Sequence, residues 1–238
     1  MQQSTIRLIA IFAGLGVIAW VAWAYFNPSP ESNPIVADGA ETVTILPLSE
    51  IEDFEDPSVG WTHEQFWMVP PMTLAHVEKN GKPALRCETN GNGSILTRTT
   101  DIELGDYPTL VWDWFIEMPI SSPIDEDTVE GDDHPARILI SLEDRTGGEY
   151  AFEIIWSNRK YEPGDYKYIG DFAHYVANGL NENTRMWHHQ EVNLMQVYWD
   201  VTGRNDYPMI KSIGIFCDSD DTKTRSVAYF SDIELRAR

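Results

Sequence analysis

The chain is short of positive charge. In 238 residues, 17 Lys and Arg stand against 38 Asp and Glu, a formal net charge of -21. Phosphate contacts need a basic surface, so this balance excludes a generic nucleic-acid partner. Cysteine is scarce too: Cys87 and Cys217 are the only two, which excludes a disulfide-dense scaffold and a four-thiolate metal site within one chain. Internal repeats are missing, and so is any long helical periodicity after the first 26 residues. What is present is a 42% hydrophobic and 12% aromatic composition, enough for a packed core. The length suits one large β-rich domain or two small ones.

Charge is also missing locally. Residues 1–26 hold Arg7 and no acid, so the rest of the chain carries 16 basic and 38 acidic residues. Residues 8–26, LIAIFAGLGVIAWVAWAYF, are uncharged. As a helix they would span ~28 Å, close to the ~30 Å hydrocarbon core. Trp20, Trp23 and Tyr25 near the far end suit an interfacial belt. The expectation is one N-terminal transmembrane helix in the inner (cytoplasmic) membrane. Residues 1–7 would lie in the cytoplasm and the body on the periplasmic or extracellular side. A cleaved signal peptide is the rival, with Ala22-Trp23-Ala24 as the small-residue site, although the run is longer than a usual h-region. Residues 27–42, rich in Pro, Ser and Asn at their start, read as a flexible linker, and residues 43–238 as the exported domain.

That domain shows a period of two. Leu110, Trp112, Trp114 and Ile116 alternate with Val111, Asp113, Phe115 and Glu117. Ile138, Ile140 and Leu142 repeat the pattern, as do Tyr150, Phe152, Ile154 and Trp156, and later Val227, Tyr229, Ser231, Ile233 and Leu235. Such alternation with aromatic and β-branched enrichment predicts strands. Gly147-Gly148 predicts a hairpin. Further strands are expected at 73–79, 83–88, 94–99, 188–193 and 209–218, and a short helix at 194–201. About ten strands joined by irregular loops predict an all-β antiparallel sandwich of jelly-roll type. The acidic run 125–133, DEDTVEGDD, reads as a solvated loop.

Several ordered blocks resemble a known family. They are Leu110-Val111-Trp112-Asp113-Trp114, Gly131-Asp132-Asp133-His134-Pro135-Ala136-Arg137, Trp187 with Glu191-Val192-Asn193, Asp218-Ser219-Asp220-Asp221-Thr222, and Tyr229 through Ile233. Together, over roughly residues 110–235, they resemble the bacterial family called domain of unknown function 3047. Two positions depart from its pattern: Val192 replaces an expected basic residue, and Asp221 an expected Asn. A looser resemblance links the ends of the body to carbohydrate-binding, galactose-binding-like jelly rolls. Ile51-Glu52-Asp53-Phe54-Glu55-Asp56 with Trp61 is similar to their first strand, and Ala228 through Leu235 to their last. That resemblance implies that the first and last strands pair and that a calcium ion lies near them.

Calcium is the ion these residues suit, because it takes six to eight oxygen ligands. Asp218, Asp220 and Asp221 supply several from one loop, and Asp132 and Asp133 could reach the same place. Turn chemistry alone also accounts for Asp in such loops. Zinc fits worse, since His63, His76, His134, His174, His188 and His189 form no HxH or HExxH pattern. A glycosidase needs two facing carboxylates ~5–9.5 Å apart. Glu149 and Glu153 share a strand face, but their four-residue step is ~13 Å. Sugar binding has more material. Trp112, Trp114 and Trp156 read as core, whereas Trp67, Trp187 and Trp199 lie near loops or polar neighbours. Asn158, Arg159, Tyr161 and Asp165 could form a polar rim, and Glu191 completes the candidate ligand set. Cys87 and Cys217 read equally as a disulfide or as two buried thiols.

The leading expectation is a membrane-anchored module that binds a glycan or cell-envelope ligand without catalysis. The alternatives are an accessory subunit with a membrane-protein partner, and a polysaccharide hydrolase or lyase.

Overall fold

The computed structural model describes residues 33–46 and 60–238. The anchor expected at 8–26 and the first-strand resemblance at 51–56 lie outside the described residues. Among the described residues no helix is long and apolar enough to cross a membrane.

Among the described residues, fourteen strands and one α-helix make up the fold. They are β1 (Ile35–Val36), β2 (Thr42–Thr44), β3 (Trp61–Gln65), β4 (Thr73–Lys79), β5 (Lys82–Asn90), β6 (Gly93–Glu103) and β7 (Thr109–Met118). There follow β8 (Arg137–Glu143), β9 (Glu149–Ser157), β10 (Tyr166–Ile169), β11 (Phe172–Gly179), β12 (Trp187–Asn193), α1 (Leu194–Thr202), β13 (Met209–Asp218) and β14 (Arg225–Arg236). A large sheet runs β1-β6-β13-β8-β9-β11-β10, with β3 also on β6. A small sheet runs β12-β7-β14-β5-β4, with β2 also on β14. The two sheets form a sandwich-like all-β fold.

The large sheet is mixed rather than wholly antiparallel, a correction to the expectation, while every pair in the small sheet is antiparallel. β10 takes the sheet edge, and β11 returns between it and β9, so β11 runs parallel to β9. β1 also pairs in parallel with β6, through Ile35 and Val36. Part of the expected linker at 27–42 is therefore docked on the large sheet.

The core follows from the alternation. Ile138, Ile140 and Leu142 of β8 and Phe152, Ile154 and Trp156 of β9 face inward and are buried. They meet Trp112, Trp114 and Ile116 of β7, also buried. Trp114 and Trp156, one from each sheet, pack edge to face at 5.6 Å. Such aromatic pairs add roughly 0.5–1.5 kcal/mol beyond the area they bury. Cys87 on β5 and Cys217 on β13 form a disulfide that ties the small sheet to the large one. α1 starts at Asn193, whose side chain accepts from the Gln196 N–H at 3.0 Å, and ends at Gly203 with φ of 67°.

Candidate functional site

Residues that point inward on the large sheet are mostly apolar; the outward face carries the apolar Ile95, Leu139 and Phe216 and, beside them, buried polar residues. Leu139, Glu153, His174 and Lys167 lie side by side on β8, β9, β11 and β10. Arg137 lies two residues before Leu139, opposite Phe216 of β13. One face thus gathers an arginine, a glutamate, a histidine and a lysine from four strands. All four are buried, Lys167 at 1% and His174 at 0% exposure.

Arg137 holds the group together. Its Nε donates to Asp218 Oδ1 at 3.2 Å, its Nη2 to Asp218 Oδ2 at 3.0 Å, and its Nη1 to Glu153 Oε2 at 2.7 Å. Asp132 closes the cluster from the loop before β8. It bonds Lys167 and lies 3.6 Å from Arg137 Nη1. His174 Nε2 faces Glu153 Oε2 at 3.3 Å and Asp132 Oδ2 at 3.5 Å. His134 Nδ1 donates to the Trp156 carbonyl at 2.9 Å, while its Nε2 accepts from Lys167 Nζ at 2.9 Å. That arrangement suits a neutral imidazole, and burial followed by the Lys167 charge holds His134 well below its ordinary value.

Burial alone would raise the three carboxyls of this network, and in Asp218 it prevails over Arg137. In the other two, Arg137 and His174 overcome it, holding Asp132 well below the carboxylate range and Glu153 at about 2. Burial would likewise lower His174, and Asp132 with Glu153 raises it instead. Both carboxylates are therefore ionised at neutral pH, each tied to a cation.

A second acidic group sits at the loop end of the sandwich. Oxygens of Asp133, Asp218 and Asp220 lie within 4.8 Å of one another. Asp133 accepts from the Thr222 N–H at 2.6 Å, and Asp218 from the His134 N–H at 3.0 Å. Burial, then Asp133, push Asp220 up. Burial, then Asp220 and Asp133, push Asp221 up to about 7. Three of the five aspartates expected to share a cation thus converge. Asp132 instead turns to Lys167 and the histidines, and Asp221 is exposed beside the group.

The run at 125–133 is not simply a solvated loop, a further correction. Glu126 is buried, and its carboxylate accepts from the N–H groups of Asn158 (3.0 Å), Arg159 (3.1 Å) and Lys160 (2.6 Å). This contact folds the acidic loop against the turn after β9. Beside it, Ile120, Ser122, Ile124, Asn158, Arg159 and Thr222 line a shallow pocket.

The six residues expected to bind ligand do not form one surface. Trp67 stands on the β3–β4 connection at 86% exposure. The Gly93 N–H donates to the Pro70 carbonyl at the base of this connection, at 3.1 Å. A Cβ on Gly93 would come within 2.7 Å of Asp218 Cβ and 3.2 Å of Asp220 Oδ1. Asn158 lines the pocket, and the Tyr161 hydroxyl bonds Asp127. These three residues belong to the loop end. Trp187 lies instead on the outer face of the small sheet, edge to face with Phe115 at 5.6 Å. Glu191, farther along that strand, is 3.6 Å from Arg236. Trp199 sits on α1, its Nε1 donating to the Asp206 carbonyl at 3.3 Å. The departure at Val192 has a simple reason, since that residue is buried in the core. Glu153, Lys167, His174 and Glu126 had no local signal in the sequence. Only the cross-strand register brings the first three together.

No curated protein matches the chain. Among solved structures, it resembles the enzymatically active domain of tailspike protein 4 of bacteriophage CBA120 at 11% identity and TM-score 0.37, over 79% of this chain and 20% of that one. The family 30 carbohydrate-binding module of a Clostridium thermocellum cellulosomal cellulase matches at 14% identity and TM-score 0.38, over 74% of this chain and 87% of that one. The xyloglucanase domain of NopAA, a type three effector from Sinorhizobium fredii, matches at 8% identity and TM-score 0.41, over 75% of this chain and 93% of that one. The chain thus spans a fifth of the phage protein, and all three TM-scores fall below 0.5. The sequence itself is decisive: residues 59–234 match the family described as Protein of unknown function (DUF3047), and the chain belongs to that family.

Proposed function

We propose that this chain is a membrane-tethered, extracytoplasmic glycan-binding module of jelly-roll type that acts without catalysis. The observation that carries the reading is Trp67. An indole at 86% exposure adds little to the core, and its flat face suits a pyranose ring. Gly93 separates its loop from Asp220, a carboxylate of the kind that accepts from sugar hydroxyls.

Two features support the rest. The Cys87–Cys217 disulfide suits an oxidising compartment, in keeping with the apolar run at 8–26 as an anchor. Asp133, Asp218 and Asp220 offer hard oxygen ligands, and calcium is the cation this reading assigns to them.

The test is a glycan array probed with the full chain in a detergent that carries no sugar, with calcium and with chelator. Retention of specific glycans, lost in Trp67→Ala, is the expected result. Uniformly null binding in both conditions overturns the reading.

A further inference from the structure

The connection between β3 and β4 carries an apolar tip that stands clear of the core. Trp67 and Met68, at 86% and 81% exposure, are the most exposed large apolar side chains among the described residues. They are adjacent, on a turn that the Val69 N–H closes on the Phe66 carbonyl at 3.2 Å. Phe66 fixes the base of that turn by packing edge to face on Phe216 at 5.3 Å. Met68 has φ of 63°, a left-handed backbone that glycine adopts freely and methionine does not. A long apolar side chain is thus held outward at a position where glycine would be unstrained. Stacking on a sugar accounts for Trp67 but not for Met68, which has no flat face.

The surroundings narrow what the tip meets. Residues 65–77 hold no Asp, Glu, Lys or Arg. Acids stand beside this stretch: Glu64 precedes it on β3, and Asp220 lies across Gly93 from its base. Lys223, exposed beside Gly91, offsets part of the Asp220 charge. A phosphate headgroup would find no cation on the tip and would be repelled by these acids, whereas sugar hydroxyls can donate to them. The chain before the described residues brings the membrane close. Phe26, the end of the apolar run, and Asn33 are seven residues apart, a span of at most ~25 Å. The Asn33 carbonyl accepts from Arg98 Nη1 at 2.6 Å. β3 pairs with Arg98 at Trp61 and with Ser94 at Gln65, so the tip begins only ~13 Å farther along. A membrane that holds the anchor is therefore within reach of the tip.

We propose that the tip enters the surface of the membrane that holds the anchor and meets a glycolipid there, an inference that rests on the membrane-tethered, glycan-binding reading above. Trp67 stacks on the headgroup sugar, whose hydroxyls donate to Asp220. Met68 and Val69 enter the boundary between headgroups and acyl chains. An indole suits that boundary, with an apolar body and a polar N–H. The ligand is then a lipid-borne sugar of the chain's own membrane rather than a free polysaccharide.

Spin labelling of the full chain in vesicles tests this. Cys87 and Cys217 are tied in their disulfide, so a nitroxide on Met68→Cys reports from the tip alone. Tyr207→Cys is the reference, because Tyr207 is 44% exposed and packs by Gly105, beyond the opposite end of β6 from Gly93. The vesicles are phosphatidylcholine alone, with phosphatidylglycerol, and with diglucosyl-diacylglycerol, all in calcium. The expected result is a severalfold rise in the ratio of oxygen to nickel-chelate collisions at the tip when the glycolipid is present. No rise is expected at Tyr207, and adding Trp67→Ala should abolish the rise at the tip. A tip as aqueous as Tyr207 in all three vesicles, or one drawn in equally without the glycolipid, overturns the inference and leaves the glycan reading to its array. A chain that floats with none of the vesicles overturns the tether, and the inference with it.

Discussion

Arg137 on β8 grips Asp218 on β13 with two parallel hydrogen bonds, of 3.2 and 3.0 Å, between strands that are neighbours in the large sheet. The same guanidinium reaches Glu153 on the opposite neighbour, β9, and lies over the Phe216 ring at 4.8 Å. Three strands of one sheet are thereby joined through a single side chain.

Removing that side chain should be costly. Arg137→Ala would leave Asp218 buried without its counter-charge and Glu153 with His174 alone. Breaking a buried pair in this way costs about 3–5 kcal/mol. Urea unfolding at neutral pH measures the loss, and a change under ~1 kcal/mol would contradict the arrangement described. Arg137→Lys should recover only part of it, because an ammonium cannot bond two carboxylate oxygens side by side as well as a third acceptor.

The inter-sheet disulfide closes a long segment, since Cys87 and Cys217 are 130 residues apart. Loop-closure entropy sets an upper figure of about 5 kcal/mol for a cross-link of that span. Cys87→Ser with Cys217→Ser should lower the unfolding midpoint accordingly. Intact mass after alkylation, with and without reductant, should show two thiols appearing only on reduction. Free thiols in the unreduced protein would contradict the bond.

The acidic loops should make stability fall as pH rises. Asp221 has a folded value of about 7 against an ordinary aspartate value of 3.8, so the folded chain holds this proton more tightly than the unfolded one. The stability this group contributes is present below its ordinary value and is lost as pH climbs through about 7. Solvent screens an exposed aspartate, so the effect is read as a difference. Between pH 4 and 8 in chelator, melting temperatures should decline less steeply for Asp221→Asn than for the unaltered chain. Under the calcium assignment, adding calcium at pH 8 should recover the difference. Glu153 runs the other way: held at about 2, it contributes above the ordinary glutamate range and loses that contribution in strong acid.

Two tryptophans should separate folding from binding. Trp114 is fully buried, and Trp114→Ala should cost about 3–5 kcal/mol by the cavity it opens. Trp67→Ala removes an exposed ring and should change stability by no more than ~0.5 kcal/mol, while glycan retention falls. A large destabilisation by Trp67→Ala would mean that the ring serves packing instead.

Local pattern alone determined much of the fold. The alternation at 110–117 and 150–156 marks β7 and β9, and it predicts Trp112, Trp114 and Trp156 as core, where all three are buried. Gly147, with φ of 81°, turns β8 into β9, and the short helix begins at Leu194 as expected. These features are legible because side-chain period and turn chemistry act over a few residues. The acidic blocks were legible too, as clustered charge, but not their division. Asp133, Asp218 and Asp220 converge, whereas Asp132 is drawn away by Lys167 and two histidines. Glu153, Lys167 and His174 look ordinary in sequence, because nothing local distinguishes an outward strand residue in water from one in a buried network. Their meeting depends on β11 returning parallel to β9, which sets Glu153 beside His174 and His174 beside Lys167. That register follows from hydrogen bonds between distant segments. The sequence by itself determined the strands, the core and the charge; the tertiary structure alone decided which of those charges meet.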